Sequence, residues 1–140
     1  ATFSYPSGVA VDSAGNVYVS DTANHKIRKI TPGAVVTTLA GSGLQGSADG
    51  PGATATISSP MNLSVDSSGN IYVSSMTVHK IRKITSTGNV STLAGSGAVG
   101  SIDATGTSAT FYNPIGCAVG NTGIVYIGDN STNKIRKILP

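Results

Sequence analysis

Lys26-Ile27-Arg28-Lys29-Ile30 returns unchanged as Lys80 to Ile84 and again as Lys134 to Ile138, 54 residues further on each time. A recurrence that strict marks a repeat protein, so the repeat is read before any single residue. At the same period Phe3, Ile57 and Phe111 fall in register, as do Pro6, Pro60 and Pro114. Next comes Gly8-Val9-Ala10-Val11-Asp12, matched by Asn62 to Asp66 and Gly116 to Gly120. Small and branched apolar residues in so short a run predict a strand, here strand a, buried on both sides.

Asp12-Ser13-Ala14-Gly15-Asn16 then predicts a tight hairpin, with Gly15 (Gly69 and Gly123 in the other copies) taking the positive φ that closes it. Val17 to Ser20, repeated as Ile71 to Ser74 and Val125 to Gly128, is β-branched with one Tyr and reads as strand b. Asp21-Thr22-Ala23-Asn24-His25 is a turn, and the Lys-Ile-Arg-Lys-Ile run is strand c. Strand d follows over Val35 to Ala40 and Asn89 to Ala94. The connections Gly41 to Thr56 and Gly95 to Thr110 are long and glycine-rich, with a short helical turn expected around Ala53 to Ile57. Four short strands per unit with no intervening helix describe a propeller blade.

The fold class is therefore all-β: one domain, 1–140, of three blade units at about 3–56, 57–110 and 111–140. The third unit lacks its outer strand, which leaves Lys134 to Pro140 at an edge whose basic residues and Pro discourage pairing. A chain of 140 residues buries roughly two-thirds of its unfolded surface, enough for such a core. Charged residues are only 11%. Apolar runs of three to five residues exclude a helical membrane span, and no basic-then-apolar leader opens the sequence. Compartment stays open between secreted and cytoplasmic. The single cysteine, Cys117, falls at the repeat position of Val9 and Leu63 and reads as a small buried apolar residue.

Pro-Ser-Gly-Val-Ala-Val-Asp (6–12), Gly-Asn-Val-Tyr-Val-Ser-Asp (15–21), Asn-His-Lys-Ile-Arg-Lys-Ile (24–30) and Thr-Leu-Ala-Gly-Ser-Gly (38–43) occur in that order, and the chain so resembles the NHL-repeat family. Asn24-His25-Lys26 is close to the Asn-His-Leu triplet that names it. The third copy departs most, with Gly120 for the Asp and Asn133 for the His. The resemblance implies a six-bladed propeller, of which three units are half. Repeats of this kind need neighbours on both sides, so closure by a twofold homodimer of 3 + 3 blades is expected. The competing reading is a piece of a longer propeller.

The resemblance also implies a site on the face carrying the b-to-c turns and the beginnings of strand a. The residues there are Ser7, Asp21, Asn24, His25, Met61, Ser75, Met76, His79, Ile115, Asp129, Asn130 and Asn133. Variation between copies on a rigid scaffold suits a binding or interaction module for protein or peptide. Family members include a zinc-dependent amidating lyase and metal-dependent lactonases. The positions matching the lyase's zinc histidines are Ser7, Met61 and Ile115, poor ligands for zinc. With two histidines and no Glu, no cofactor is expected, and a hydrolase or lyase with an axial site is the alternative. Asp12 and Asp66 read as Asx turns and Asp49 and Asp103 as loop caps, since one carboxylate per loop is too few for calcium.

All nine basic residues, Lys26, Arg28, Lys29, Lys80, Arg82, Lys83, Lys134, Arg136 and Lys137, lie in strand c. Their stems are expected to pack on apolar surface while the charges reach solvent. The functional alternative is a cationic track for RNA or another anionic polymer. Stacking on bases would need exposed aromatics, whereas Tyr18, Tyr72 and Tyr126 are regular strand b residues.

Overall fold

The computed structural model describes residues 1–140. It contains eleven strands: β1 (Pro6–Val11), β2 (Val17–Asp21), β3 (Lys26–Ile30), β4 (Val36–Ala40), β5 (Pro60–Val65), β6 (Ile71–Ser75), β7 (Lys80–Ile84), β8 (Val90–Ala94), β9 (Pro114–Val119), β10 (Val125–Asp129) and β11 (Lys134–Ile138). They form three antiparallel meanders, ordered β1-β2-β3-β4, β5-β6-β7-β8 and β9-β10-β11. The first strands β1, β5 and β9 lie side by side, so the sheets stand next to one another as blades with strand a innermost. No helix is long and apolar enough to cross a membrane.

The observed strands follow the expected ones closely, and the differences have local causes. Strand a begins two residues earlier, at the repeated proline, whose fixed φ suits the first residue of a strand. It is not buried on both sides: Val9 and Val11 are exposed, because nothing packs on that face of the first blade. The helical turn lies at Gly106–Ser108 in the second connection. The equivalent residues of the first make only a tight turn on the Pro51 carbonyl, so none forms at Ala53 to Ile57.

Each hairpin closes as expected, with φ of +80° at Gly15, +79° at Gly69 and +81° at Gly123. The Asp12 carboxylate accepts from the Ala14 and Asn16 amides, the Asn16 side chain and the Tyr18 hydroxyl, and Asp66 repeats all four bonds. At Asp12 the bond from the Asn16 side chain leads in holding the carboxyl below its ordinary value. At Asp66 burial opposes ionisation, but the donors outweigh it. Burial and the neighbouring carboxylate push Tyr18 and Tyr72 up to about 12.

Two limbs of pH dependence follow. The lowered carboxyls contribute stability above the unfolded carboxyl value of 3.8, and it is lost as pH falls through their folded values. The raised phenols contribute below pH 10, and that is lost as pH rises towards about 12. Urea melts across pH should show both limbs, and replacing Asp12 and Asp66 together by Asn should flatten the acid one. An unchanged acid limb would count against the assignment.

Between blades lie two equivalent cores. Tyr18 and Ile27 of the first blade pack with Ile57, Leu63 and Val73 of the second. Tyr72 and Ile81 of the second pack with Phe111, Cys117 and Ile127 of the third. Cys117 is buried as expected, and burial pushes its thiol up to about 12. Where strand d leaves its blade, Gly95 has φ of +101°, and a Cβ there would lie 2.5 Å from the His79 carbonyl oxygen. That close backbone approach is what a glycine permits.

Candidate binding face

The b-to-c turns are single 3-10 turns, Thr22–Asn24, Met76–Val78 and Asn130–Thr132. Each ends on a left-handed residue, His25, His79 or Asn133, with φ of 54° to 55°. His and Asn tolerate that conformation better than most side chains, which explains their exchange in the third copy. The histidines also tie blades together. His25 Nδ1 accepts from the Ser59 amide at 3.2 Å, and His79 Nδ1 accepts from the Asn113 amide at 3.2 Å. An accepting Nδ1 is unprotonated, so one nitrogen of each ring is committed to the fold.

Ser59 and Asn113 share a repeat position with Tyr5, and all three have positive φ, 42°, 51° and 48°. Each precedes the proline that opens strand a. A non-glycine residue in that region stores strain, and such strain clusters at ligand contacts. Tyr5 is the most exposed large aromatic of the chain, standing at the rim of an open groove of about 410 Å³ between the first and second blades. Ser7, Thr22 and His25 line one wall, and Ser59 and Met61 the other. The hydroxyls are already engaged: Thr22 donates to the Pro60 carbonyl at 2.6 Å, and Ser7 has both Thr22 Oγ1 and the Met61 carbonyl within reach of its one proton. The groove therefore offers an aromatic ring, a thioether and backbone edges to a ligand.

Of the expected face residues, Ser7, His25 and Met61 come together here. Met76, His79 and Ile115 hold the matching places between the second and third blades, where Tyr112 sits edge-on to His79 at 5.7 Å. Asn130 and Asn133 lie on the third turn. Asp21, Ser75 and Asp129 are corrections: all three are buried and present nothing to a ligand. Asp21 accepts from the Ser4 amide, the Asn24 side chain and Arg28, so Asn24 is occupied as well. Asp129 accepts from the Tyr112 amide and Arg136. Ser75, at the same repeat position, has no partner for its hydroxyl.

The cationic track is corrected too. Arg28 is nearly buried on Asp21 at 3.1 Å, with its guanidinium 5.5 Å from the Phe3 ring centre. Arg82 is fully buried, pairing with Asp49 at 2.7 Å and donating to the Thr56 and Ala48 carbonyls. Arg136 pairs with Asp103 at 2.6 Å and Asp129 at 3.2 Å, donates to two carbonyls, and lies 4.8 Å from the Phe111 ring centre. A buried guanidinium fan of this kind is better at pinning backbone than at meeting a polymer.

Four of the six lysines have partners as well. Lys29 and Lys83 lie over Tyr18 and Tyr72, and Lys80 and Lys134 donate to Ser47 and Ser101. Strand c of the second and third blades thus receives the long connection from the blade before it. The signal was available: Asp49 and Asp103 each precede their arginine by 33 residues.

Three blades ranked with their first strands innermost define a β-propeller segment. The NHL repeat family model matches residues 3–30. Over 97% of its length the chain is 30% identical to NHL repeat-containing protein 2 of Bos taurus, and over 81 residues it is 37% identical to protein SUPPRESSOR OF QUENCHING 1, chloroplastic, of Arabidopsis thaliana. A crystal structure of a Bacteroides thetaiotaomicron protein of unknown function superposes on 88% of the chain with a TM-score of 0.80 at 31% identity. The chain belongs to the NHL-repeat β-propeller family. It spans 21%, 8% and 32% of the length of those three proteins, respectively.

Proposed function

We propose that the chain is a non-catalytic binding scaffold whose ligand, a protein segment or peptide, lies in the groove at Tyr5, His25 and Met61. The observation that carries this reading is the fate of the carboxylates. With no Glu, the six Asp are the only side-chain carboxylates; two lie in hairpins, four pair with arginines, and none lines this groove. A general base or a hard-metal site needs a carboxylate free to face a substrate. The exposed groove groups are instead an aromatic ring, a thioether and strained backbone, which suit recognition better than proton transfer.

Random peptides displayed on phage and selected against the folded chain test this. Selected peptides should lose at least tenfold in affinity on Tyr5→Ala or Met61→Ser, and nothing on Leu44→Ser, an exposed site on the first connection. Binders indifferent to both groove changes would overturn the proposal. An axial hydrolase or lyase would instead turn over ester or lactone substrates, with loss on chelation.

The same proposal includes assembly with a second copy, giving twice the 13.9 kDa chain mass. Open apolar faces at the first and third blades support it. A stable single-chain mass at micromolar concentration would overturn it.

A further inference from the structure

The groove between the first and second blades contains one polar group whose direction is set by the fold. His25 lines it, and His25 Nδ1 accepts from the Ser59 amide at 3.2 Å. In a neutral imidazole one nitrogen accepts and the other carries the proton, so this bond places the proton on Nε2. The buried side-chain atoms without a partner are Ser20 Oγ, Arg28 Nε, Ser75 Oγ and Arg82 Nε. His25 Nε2 is not one of them and makes no bond within the chain, so its N–H is open.

The ring cannot turn without breaking the Ser59 bond. Its backbone is left-handed, with φ of 54°, and closes the 3-10 turn by donating from the His25 amide to the Thr22 carbonyl at 3.2 Å. The other polar side chains of the groove lack such a fixed direction. The Tyr5 and Ser59 hydroxyls are without a partner, but a hydroxyl rotates and can donate or accept. Thr22 has given its proton to the Pro60 carbonyl, and Ser7 has two acceptors for its own. The second blade repeats the device: His79 Nδ1 accepts from the Asn113 amide at 3.2 Å, and its Nε2 is open in the same way.

We propose that the Nε2–H of His25 receives a main-chain carbonyl oxygen of a bound peptide and so fixes the peptide's position along the groove. The assignment rests on the groove being a peptide site. An apolar side chain next to that carbonyl then lies against the Tyr5 ring and the Met61 thioether. A neutral carbonyl suits this donor better than a charged group. No basic side chain lines the groove to neutralise a carboxylate, and no acidic one to hold an ammonium.

Nitrogen NMR of the whole chain, labelled with nitrogen-15 histidine, tests this in two stages. In the free chain at mildly alkaline pH both histidines should show the Nε2–H tautomer. An Nδ1–H signal from His25 would overturn the proposal before any ligand is added. The probe for the second stage is a phage-selected peptide whose binding needs Tyr5 and Met61. At saturation the His25 Nε2 resonance and that of its proton should shift. His25→Asn keeps a residue suited to the left-handed turn, as Asn133 does, and should raise the Kd about three- to tenfold, the span of one net hydrogen bond. Converting a single peptide amide to an ester weakens its carbonyl as an acceptor. At one position that change should cost affinity in the native chain and nothing further in His25→Asn, the sign of a direct contact. A peptide that needs Tyr5 and Met61 yet leaves His25 Nε2 unmoved, or ester losses that add to His25→Asn at every position, would overturn this proposal and leave the groove reading intact. Failure to select any peptide that needs Tyr5 and Met61 would remove the groove reading and this proposal with it.

Discussion

Arg82→Ala is expected to lower the unfolding free energy by about 3–5 kcal/mol, the range for breaking a buried pair from one side. The side chain is completely buried, and its guanidinium holds three acceptors on the first connection. Removing it leaves the Thr56 and Ala48 carbonyls without those donors and Asp49 without its counter-charge, while opening a cavity beneath the first connection. Each abandoned acceptor costs about 1–3 kcal/mol where water cannot replace the donor. Asp49 is half exposed, so most of the loss is assigned to the carbonyls and the cavity rather than to the ion pair. Arg82→Lys should recover only part, because one ammonium cannot span the fan of acceptors. Arg28→Ala should cost less, since that guanidinium bonds only Asp21 and pins no backbone carbonyl. Urea unfolding measures all three. A loss below about 1 kcal/mol for Arg82→Ala, or an equal loss for Arg28→Ala, would refute the pinning role.

The order of strands could be read from the sequence because three copies of one pattern remove local ambiguity. Lys26 to Ile30 is a strand in the structure with the expected bounds, and the Asp12 hairpin follows from Gly15 and its neighbours. What lies on either side of a blade could not be read the same way. In a five-residue strand, alternation assigns Ile27 and Arg28 to opposite faces, but both faces of a blade can meet protein. The partner that decides Arg82 is 33 residues away, on a connection with no regular structure. The binding face was legible as a location and only partly as residues. Asp21 and Asp129 sit at the ends of strands and turn inward onto arginines, which position alone does not reveal. Tyr5 was missed because a residue before proline is normally extended, whereas here it is left-handed and exposed.

Ile81→Asp and Ile135→Asp make the same change 54 residues apart and should have opposite consequences. Ile81 is completely buried among Phe111, Cys117 and Ile127, so an unpaired carboxylate there should cost at least about 4 kcal/mol and leave the chain largely unfolded. Ile135 is 79% exposed, and the change should leave unfolding of the single chain within about 0.5 kcal/mol. The contrast arises because each interblade core needs a leading face of Tyr and Ile and a following face of Leu or Cys with Val or Ile. The third blade has the leading face open: Tyr126 is 45% exposed, where Tyr18 and Tyr72 are 2% and 6%. The first blade has the following face open: Val9 is 66% exposed, where Leu63 and Cys117 are 3% and 7%. The two faces complement each other as the internal pairs do, and a second copy would cover both in one twofold ring. Burying each such side chain contributes about 1.5–3 kcal/mol. Such a ring would have two equivalent joints, so one substitution would act twice. Ile135→Asp should therefore reduce a self-associating chain to its single-chain mass in sedimentation without unfolding it. Association unchanged by Ile135→Asp would show that these faces are not the joint.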